Sequence, residues 1–112
     1  MKRIDAMVPN LKRRQVVDAI LTAGAPGLTV SETRGRGVSP RPLVGGARGT
    51  AKYIAEYNRT DTITIIVEDS QVDVIVKAIM GMVQTGTKSD GKIFVSHVEE
   101  TYDISTGQKG KL

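Results

Sequence analysis

The sequence predicts an α+β domain in which two β-α-β units follow one another along residues 1–112. Two stretches carry apolar residues at the spacing of a helix. Each is preceded and followed by a stretch in which polar and apolar residues alternate, as they do in a half-buried strand. With 112 residues, of which 39% are hydrophobic, the chain has enough apolar side chains for one core. We therefore expect a single domain.

The first unit opens with residues 2–8, whose alternation predicts a strand that Pro9 ends. Asn10 is of a residue type that favours the N-cap of a helix, and the apolar spacing continues helically to residue 23. Gly24 then suits the left-handed conformation that ends many helices. These features predict a strand followed directly by the first helix.

A long segment, residues 35–52, follows the second predicted strand, residues 28–34. It is rich in glycine, and no acidic residue lies between Glu32 and Glu56. The basic residues in that interval are Arg34, Arg36, Arg41, Arg48 and Lys52. Loops of this length inside a compact domain are usually functional or disordered. We expect an irregular, mobile loop that binds a partner.

The second unit begins with residues 61–67, whose β-branched alternation predicts the third strand. Ser70 and Asp73 have the spacing of a capping box. The helix predicted after them carries apolar residues three and four positions apart, namely Val72, Ile75, Val76, Ile79, Met80 and Val83. Residues 92–98 predict the fourth strand, and the sparse apolar content of residues 101–112 predicts an irregular C-terminal tail.

This order of elements, βαββαβ with a long loop between strands 2 and 3, is that of a ferredoxin-like sandwich, in which both helices cover one face of an antiparallel sheet. The other face stays open, and the alternation places Met7, Phe94 and Val98 on it. Exposed apolar groups on a sheet face are commonly covered by other copies of the chain. We therefore expect an oligomer.

Composition excludes several classes of protein. The chain has no cysteine and a single histidine, so a disulfide, a thiolate metal site and a cysteine nucleophile are excluded, and no metal site is expected. No apolar run approaches the roughly 18 residues of a membrane span, and residues 1–10 lack the apolar core of a signal peptide. We expect a cytoplasmic protein that is not inserted in a membrane. No nucleophile–base pair predicts an enzyme.

The stretch TGTKSDGKIFV, residues 85–95, places small, polar and cationic residues in front of an apolar strand. Its glycines would let backbone N–H groups converge on an anion, and its lysines would add full charges. An ordinary turn between a helix and a strand has the same composition. The residues alone favour the turn without excluding an anion-binding loop.

Four segments of the chain resemble the nitrogen regulatory PII signalling proteins. They are KRIDAMV, LTVSETRGRG, TGTKSDGKIFV and STGQKG, in this order and at matching spacings. The resemblance implies a homotrimer of ferredoxin-like subunits that binds an adenine nucleotide in the clefts between subunits. It also implies that residues 35–52 correspond to the T-loop, which controls a target enzyme or transporter.

The resemblance further implies roles for single residues. Segment 85–92 corresponds to the B-loop, which wraps the nucleotide phosphates. The implied nucleotide-binding residues are Thr29, Gly35, Arg36, Gly37, Val38, Ile66, Thr87, Lys88, Ser89, Asp90, Gly91 and Lys92. The implied target-binding residues of the long loop are Arg41, Arg48, Lys52 and Tyr53. Neither a covalent cofactor nor a metal ligand is implied.

Several positions depart from the pattern of the family. Asp103 and Ser105 stand where the family donates two arginines to the β- and γ-phosphates, Val38 stands where an arginine is common, and Thr87 stands where a lysine is usual. Because a carboxylate repels a polyphosphate, AMP or ADP is expected as the effector rather than ATP. No glutamine lies within residues 35–60, although the family's 2-oxoglutarate site needs one, so sensing of 2-oxoglutarate is expected to be lost.

Nucleic-acid binding is the alternative function. The net charge of +4, the basic loop and the βαββαβ order would suit an RNA-recognition domain. Such domains stack bases on aromatic side chains of the central strands, and residues 61–67 contain none. A regulator without a nucleic-acid partner is therefore the preferred prediction.

Overall fold

The structure, a computed structural model, describes residues 1–37, 40–45, 52–87, 89–110 and 112. Within these residues the chain forms six strands and two α-helices. Their bounds are β1 Lys2–Pro9, α1 Arg13–Thr22, β2 Thr29–Gly35, β3 Leu43–Gly45, β4 Lys52–Ile54, β5 Asn58–Val67, α2 Val72–Val83 and β6 Lys92–His97.

The central sheet has four antiparallel strands in the order β2-β5-β1-β6. This order and the two crossing helices are those of the ferredoxin-like fold, so the predicted fold class is confirmed. β5 begins at Asn58, three residues before the predicted start at residue 61. The additional residues continue the pairing with β2 as far as Gly35, where β2 ends.

The hydrophobic core lies between one face of this sheet and the two helices. In the two central strands Ile4 stands opposite Ile65, and Ala6 stands opposite Ile63, as the alternation predicted. The buried apolar residues are Ile4, Ala6, Val8, Val16, Ile20, Ile63, Ile65, Val67, Ile75, Ile79 and Val83. Met80, at the edge of the predicted apolar stripe of α2, is 44% exposed. No helix in the described part of the chain has the length and apolar character needed to cross a membrane.

The first helix begins differently from the prediction. Asn10 is not the N-cap of α1: Pro9 precedes a 3-10 turn, Asn10–Lys12, and Lys12 is the N-cap residue of α1, which begins at Arg13. Pro9 has φ −56° and ψ 137°, so the fixed proline φ turns the chain from strand to helix without a side-chain cap. Gly24 follows the helix at φ 95°, as predicted for a left-handed terminator.

The capping box predicted at Ser70 and Asp73 is wrong, because the capping box is formed by Glu68 and Gln71 and caps the 3-10 turn Asp69–Gln71 that precedes α2. The Glu68 carboxylate accepts the N–H of Gln71, and the Glu68 N–H donates to Oε1 of Gln71 at 3.2 Å. The 3-10 turn places the helical start closer to the end of β5 than the predicted cap at Ser70 did. The N–H groups that need a cap therefore begin there, and Glu68 caps them.

The segment predicted as an irregular loop, residues 35–52, contains regular structure at its described positions. β3 and β4 pair as an antiparallel ribbon in which Leu43 stands opposite Ile54. The radius of gyration, 17.0 Å, exceeds the value of about 13 Å typical of a compact domain of this length. The ribbon therefore projects from the sandwich. Its strands are three residues long, too short for a period-two pattern to stand out among glycines and prolines.

The sheet face that the helices leave open carries mostly hydroxyl groups on the β2 and β5 side. Residues of β2 stand opposite residues of β5 in the pairs Thr29 with Thr64, Ser31 with Thr62, and Thr33 with Thr60. On the β1 and β6 side, Met7 is 42% exposed and Phe94 is 50% exposed, as predicted for this face. Val98, predicted to join them, lies one residue beyond the end of β6 and is partly buried.

Candidate functional site

Two segments that the resemblance connected with nucleotides leave the sheet at the same end. β2 ends at Gly35, opposite the first residue of β5, and Arg36 and Gly37 continue from there. β6 begins at Lys92, opposite Met7 near the end of β1. Because the end of β1 pairs with the start of β5, residues 35–37 and the loop 85–92 lie at one end of the sheet. Val38 and Lys88 lie outside the described residues.

The other two implied nucleotide-binding residues lie further along the open face. Thr29 stands opposite Thr64, and Ile66 stands opposite Arg3. Arg3 is four residues before Met7 on β1, which corresponds to about 13 Å along a strand. Residues 35–37 and the loop before β6 therefore share one end of the sheet, although they leave it from its two opposite edge strands, whereas Thr29 and Ile66 lie further along the open face.

The loop 85–92 is folded around the carboxylate of Asp90. Oδ2 accepts the backbone N–H of Thr85 at 2.7 Å and that of Gly86 at 2.9 Å. Oδ1 accepts the hydroxyl groups of Thr85 and of Thr87, the latter at 3.1 Å. Gly86 adopts φ 85°, a conformation that favours glycine and lets successive N–H groups turn toward one anion.

These hydrogen bonds stabilise the ionised form of Asp90. The Thr85 hydroxyl contributes most, followed by the Thr85 N–H, and together the bonds lower the pKa of Asp90 from 3.8 to about 2. Asp90 is therefore a fixed negative charge at neutral pH. It occupies the place that an external anion would take among these N–H groups.

Thr87 closes the second half of the same loop. Its Oγ1 accepts the N–H of Ser89 at 3.3 Å, and its carbonyl oxygen accepts the N–H of Asp90 at 3.3 Å. The sequence left open whether this segment is an ordinary turn or an anion-binding loop, and the structure has features of both. The segment is a turn, and it is also a converging set of N–H groups, which its own side chains satisfy.

Gly91 places this loop directly on β1. It adopts φ 108°, and a Cβ at this position would overlap the carbonyl oxygen of Met7 and lie 3.1 Å from the carbonyl carbon. The next residue, Lys92, is exposed on the open face opposite Met7. A cavity of about 160 Å³ lies beside the loop, and Met80 and Val83 of α2 form part of its apolar wall.

The tail predicted as irregular, residues 101–112, is an ordered turn over residues 101–110. Tyr102 and Lys109 form an isolated β-bridge. Asp103 Oδ1 accepts the N–H of Ser105 at 2.8 Å and its hydroxyl at 2.6 Å. The Ser105 hydroxyl is the main cause of a lowered pKa of Asp103, which is ionised at neutral pH. The two residues that replace the family's arginines thus bind each other.

The ribbon β3–β4 presents apolar side chains to solvent. Three large side chains are more than half exposed, Leu43 at 69%, Tyr53 at 60% and Ile54 at 58%. Arg41, two residues before β3, is partly buried. Arg48 lies outside the described residues, and Lys52 is described only as the first residue of β4. Of the two implied target-binding residues whose side chains the structure describes, Arg41 is partly buried and Tyr53 is exposed.

A cluster of threonine hydroxyls beside Gly35 escaped the sequence analysis. Thr33 Oγ1 donates to the carbonyl oxygen of Thr60 at 2.7 Å and lies 3.2 Å from Thr62 Oγ1. A Cβ on Gly35 would lie 3.3 Å from Thr60 Oγ1, so the strand end packs closely on this hydroxyl. The alternation of threonine with aliphatic residues in both strands was the pattern that could have revealed it.

The groups at this end of the sheet are polar, although the bonded N–H groups of the loop would have to leave their own side-chain acceptors before binding a ligand. Backbone N–H groups, threonine hydroxyls and the Lys92 ammonium are donors, and the carboxylate of Asp90 is the acceptor that orders the loop. Within the residues that the structure describes, no three His, Cys, Asp or Glu side chains are placed to hold a metal ion.

Comparison with known proteins decides the family. Residues 1–108 match the family model described as Nitrogen regulatory protein P-II. The chain belongs to the P-II family. It is 39% identical over 109 residues to the Nitrogen regulatory protein P-II of Microchaete diplosiphon, covering 97% of this chain and 96% of that protein. It is 40% identical over 111 residues to the Nitrogen regulatory protein P-II 2 of Methanothermobacter thermautotrophicus, covering 99% and 95% respectively.

Membership in the P-II family confirms the resemblance found in the sequence. With it, the prediction of a nitrogen-regulatory signalling protein that is not an enzyme is confirmed. The P-II match extends over residues 1–108 and so includes the loop 85–92, the ribbon and most of the C-terminal turn. The nucleotide-binding and target-binding residues stay predictions.

Proposed function

We propose that this P-II family member is a homotrimeric signalling protein that binds AMP or ADP in preference to ATP in clefts between its copies. Nucleotide occupancy would set the conformation of residues 35–52, which control a target enzyme or transporter. P-II proteins in general bind adenine nucleotides and 2-oxoglutarate and form homotrimers. A ligand can control the segment only by binding its two conformations with different affinity.

One observation carries the proposal. The loop 85–92 and the root of the long segment, residues 35–37, leave the sheet at the same end. β2 and β6 are the two edge strands of the sheet, so a nucleotide whose phosphates lie on the loop would extend across this end of the sheet to reach the glycines where the segment begins. Its occupancy would be linked to the position of the segment through direct contact.

A second copy of the chain would complete the site. Ile66 lies on the open face about 13 Å along the strands from the row of Lys92, and Thr29 lies on β2, the edge strand opposite β6. A neighbouring copy is therefore the natural source of Thr29 and Ile66 at a nucleotide held by the loop 85–92. The exposure of Met7 and Phe94 on that face supports coverage by another copy, because apolar groups gain free energy when they leave water.

Two carboxylates support a preference for few phosphates. Asp90 within the loop is ionised at neutral pH, and so is Asp103, which the family resemblance would place at the phosphates bound by a neighbouring copy. Lys92 is the described cation at the start of β6. Each added phosphoryl group brings more negative charge toward these carboxylates, so the repulsion grows from AMP to ATP.

Binding of 2-oxoglutarate in the manner of the family is not part of the proposed function. The family uses a lysine near position 60, where this chain has Thr60. The carbonyl oxygen of Thr60 accepts a hydrogen bond from Thr33, and its hydroxyl packs against Gly35. A threonine supplies no positive charge for a keto-acid carboxylate.

The experiment is isothermal titration of the purified chain with AMP, ADP and ATP, each with and without magnesium, preceded by light scattering to establish the oligomeric state. We expect a trimer and dissociation constants that rise from AMP to ATP. The variant Lys92→Ala should weaken all three nucleotides, whereas Lys77→Ala, which removes an exposed lysine from α2, should leave them unchanged. A monomer, or silence toward every nucleotide, contradicts the proposal.

No observation favours the alternative of RNA binding on the open face. The described side chains that β1 and β5 present there are Arg3, Asp5, Met7, Pro9, Asn58, Thr60, Thr62, Thr64 and Ile66, and none is aromatic. Phe94 lies on the edge strand β6. Base stacking by the central strands therefore has no platform.

A further inference from the structure

We infer that Thr87 sets the preference of this site for short phosphate chains, by holding the loop 85–92 closed on the carboxylate of Asp90. The inference rests on the proposed function, because it concerns the same nucleotide site. It adds a residue that determines specificity and a physical reason for that specificity.

Thr87 is the residue that joins the two halves of the loop. Its hydroxyl donates to Asp90 Oδ1 at 3.1 Å and accepts the N–H of Ser89 at 3.3 Å. Its carbonyl oxygen accepts the N–H of Asp90 at 3.3 Å. One side chain therefore both orients the carboxylate and occupies an N–H group at the tip of the loop.

Among the described residues of the loop, the backbone N–H groups of Thr85, Gly86, Ser89 and Asp90 are bonded inside it. Converging N–H groups of this kind are what a phosphoryl group binds in a phosphate loop. A ligand that takes any of them must first displace an oxygen of Asp90 or Thr87. It must also approach a carboxylate that bears a full negative charge.

The free-energy cost of opening the loop depends on how many phosphoryl groups of the ligand contact its N–H groups. AMP, with one phosphoryl group, can bind at the edge of the loop and keep the internal hydrogen bonds. ATP needs the N–H groups for its outer phosphates, and it brings more negative charge toward Asp90. Loss of the Thr87 hydroxyl should therefore help ATP more than AMP.

The test compares Thr87→Val with Thr87→Ser and with Thr22→Val. Valine has the shape of threonine without the hydroxyl, serine keeps the hydroxyl, and Thr22 is the exposed last residue of α1. We expect the ratio of the ATP and AMP dissociation constants to fall about fivefold or more in Thr87→Val. It should stay at the wild-type value in Thr87→Ser and Thr22→Val.

A second measurement needs no nucleotide. Hydrogen exchange of the Ser89 amide should become at least about tenfold faster in Thr87→Val and stay unchanged in Thr87→Ser, because the hydroxyl that protects it is lost only in the first. An unchanged exchange rate, or an unchanged ATP-to-AMP ratio in a wild type that binds nucleotides, overturns this inference alone. Silence of the wild type and all variants toward nucleotides overturns the proposed function and this inference with it.

Discussion

Arg13, the first residue of α1, lies with Nη1 3.2 Å from Oδ2 of Asp61 on β5. Asp61 is 3% exposed and stands opposite Glu32 of β2, whose carboxylate lies 3.6 Å from the same guanidinium. The contact with Asp61 is ionic, because Oδ2 receives no hydrogen bond of good geometry from the described groups. Arg13 thus attracts two neighbouring carboxylates and ties α1 to the end of the sheet where residues 35–37 leave.

Replacing Arg13 by leucine should destabilise the fold strongly. The substitution leaves the buried Asp61 carboxylate without its cation, a change that typically costs about 3–5 kcal/mol. Urea denaturation followed by circular dichroism measures the free energy of unfolding. Arg14→Leu is the matched control, since this neighbouring arginine is exposed, and it should change stability by less than about 0.5 kcal/mol.

The double variant Arg13→Leu with Asp61→Val distinguishes the energy of the ion pair from the separate effects of the two side chains. Removing both charges replaces an ion pair by apolar contact, so the double variant should lie close to the wild type in stability. The cycle of single and double variants then gives a large favourable coupling energy. Additive losses would show that the two side chains act independently and would contradict the proposed role of Arg13.

Asp61 shows where prediction from the sequence ends. The alternation of residues 61–67 predicted a strand, and the burial of Ile63 and Ile65 followed from it. The same alternation places Asp61 on the core face, but nothing local to it identifies the partner of its carboxylate, since Arg13 belongs to the first unit of the chain. Period-two patterns report which face a residue occupies, whereas a buried ion pair depends on packing between distant elements.

The loop 85–92 shows the same limit at the candidate site. Its place between α2 and β6 followed from the flanking patterns, and its glycines indicated an unusual backbone. The hydrogen bonds inside it depend on the positive φ of Gly86 and on the Asp90 carboxylate, which accepts the N–H of Gly86 four residues earlier in the chain. A loop whose N–H groups bind a ligand can have the same composition as one whose N–H groups bind its own side chains. The hydrogen bonds to Asp90 could therefore not be predicted from the sequence.

Stability should depend on pH through Asp90. Its pKa is lowered from 3.8 to about 2, so the folded state binds this proton less readily than the unfolded state does. Its contribution is present in full above the unfolded value and is lost as the pH falls from about 4 toward about 2. Asp90→Asn removes this proton-binding group, so the variant lacks this pH-dependent contribution. The difference in the free energy of unfolding between wild type and variant should therefore shrink as the pH falls through that interval. A constant difference from pH 7 to pH 2 would contradict the bonding described for the loop.

Replacing Gly91 by alanine should lower the free energy of unfolding more than the same change at Gly86. Gly91→Ala places a Cβ against the Met7 carbonyl group in a left-handed backbone, so the start of β6 must move away from β1. Gly86→Ala meets no atom within 4 Å and should cost only the conformational strain of about 1–2 kcal/mol. Gly81→Ala, inside α2 and also free of contacts, should stabilise by about 1 kcal/mol. Urea denaturation of the three variants should rank them in this order, and equal costs at Gly91 and Gly86 would show that the loop does not rest on β1.

The ribbon β3–β4 should be energetically separate from the sandwich. Leu43 and Ile54 stand opposite each other and are more than half exposed, so replacing both by serine should change the free energy of unfolding by less than about 0.5 kcal/mol. Ile65→Ala, in the core, should cost about 2–5 kcal/mol in the same urea experiment. A loss above about 1 kcal/mol in the double serine variant would mean that the ribbon packs on the sandwich. If stability is unchanged, these apolar side chains do not serve the fold, and contact with a target becomes the physical reason to keep them in water.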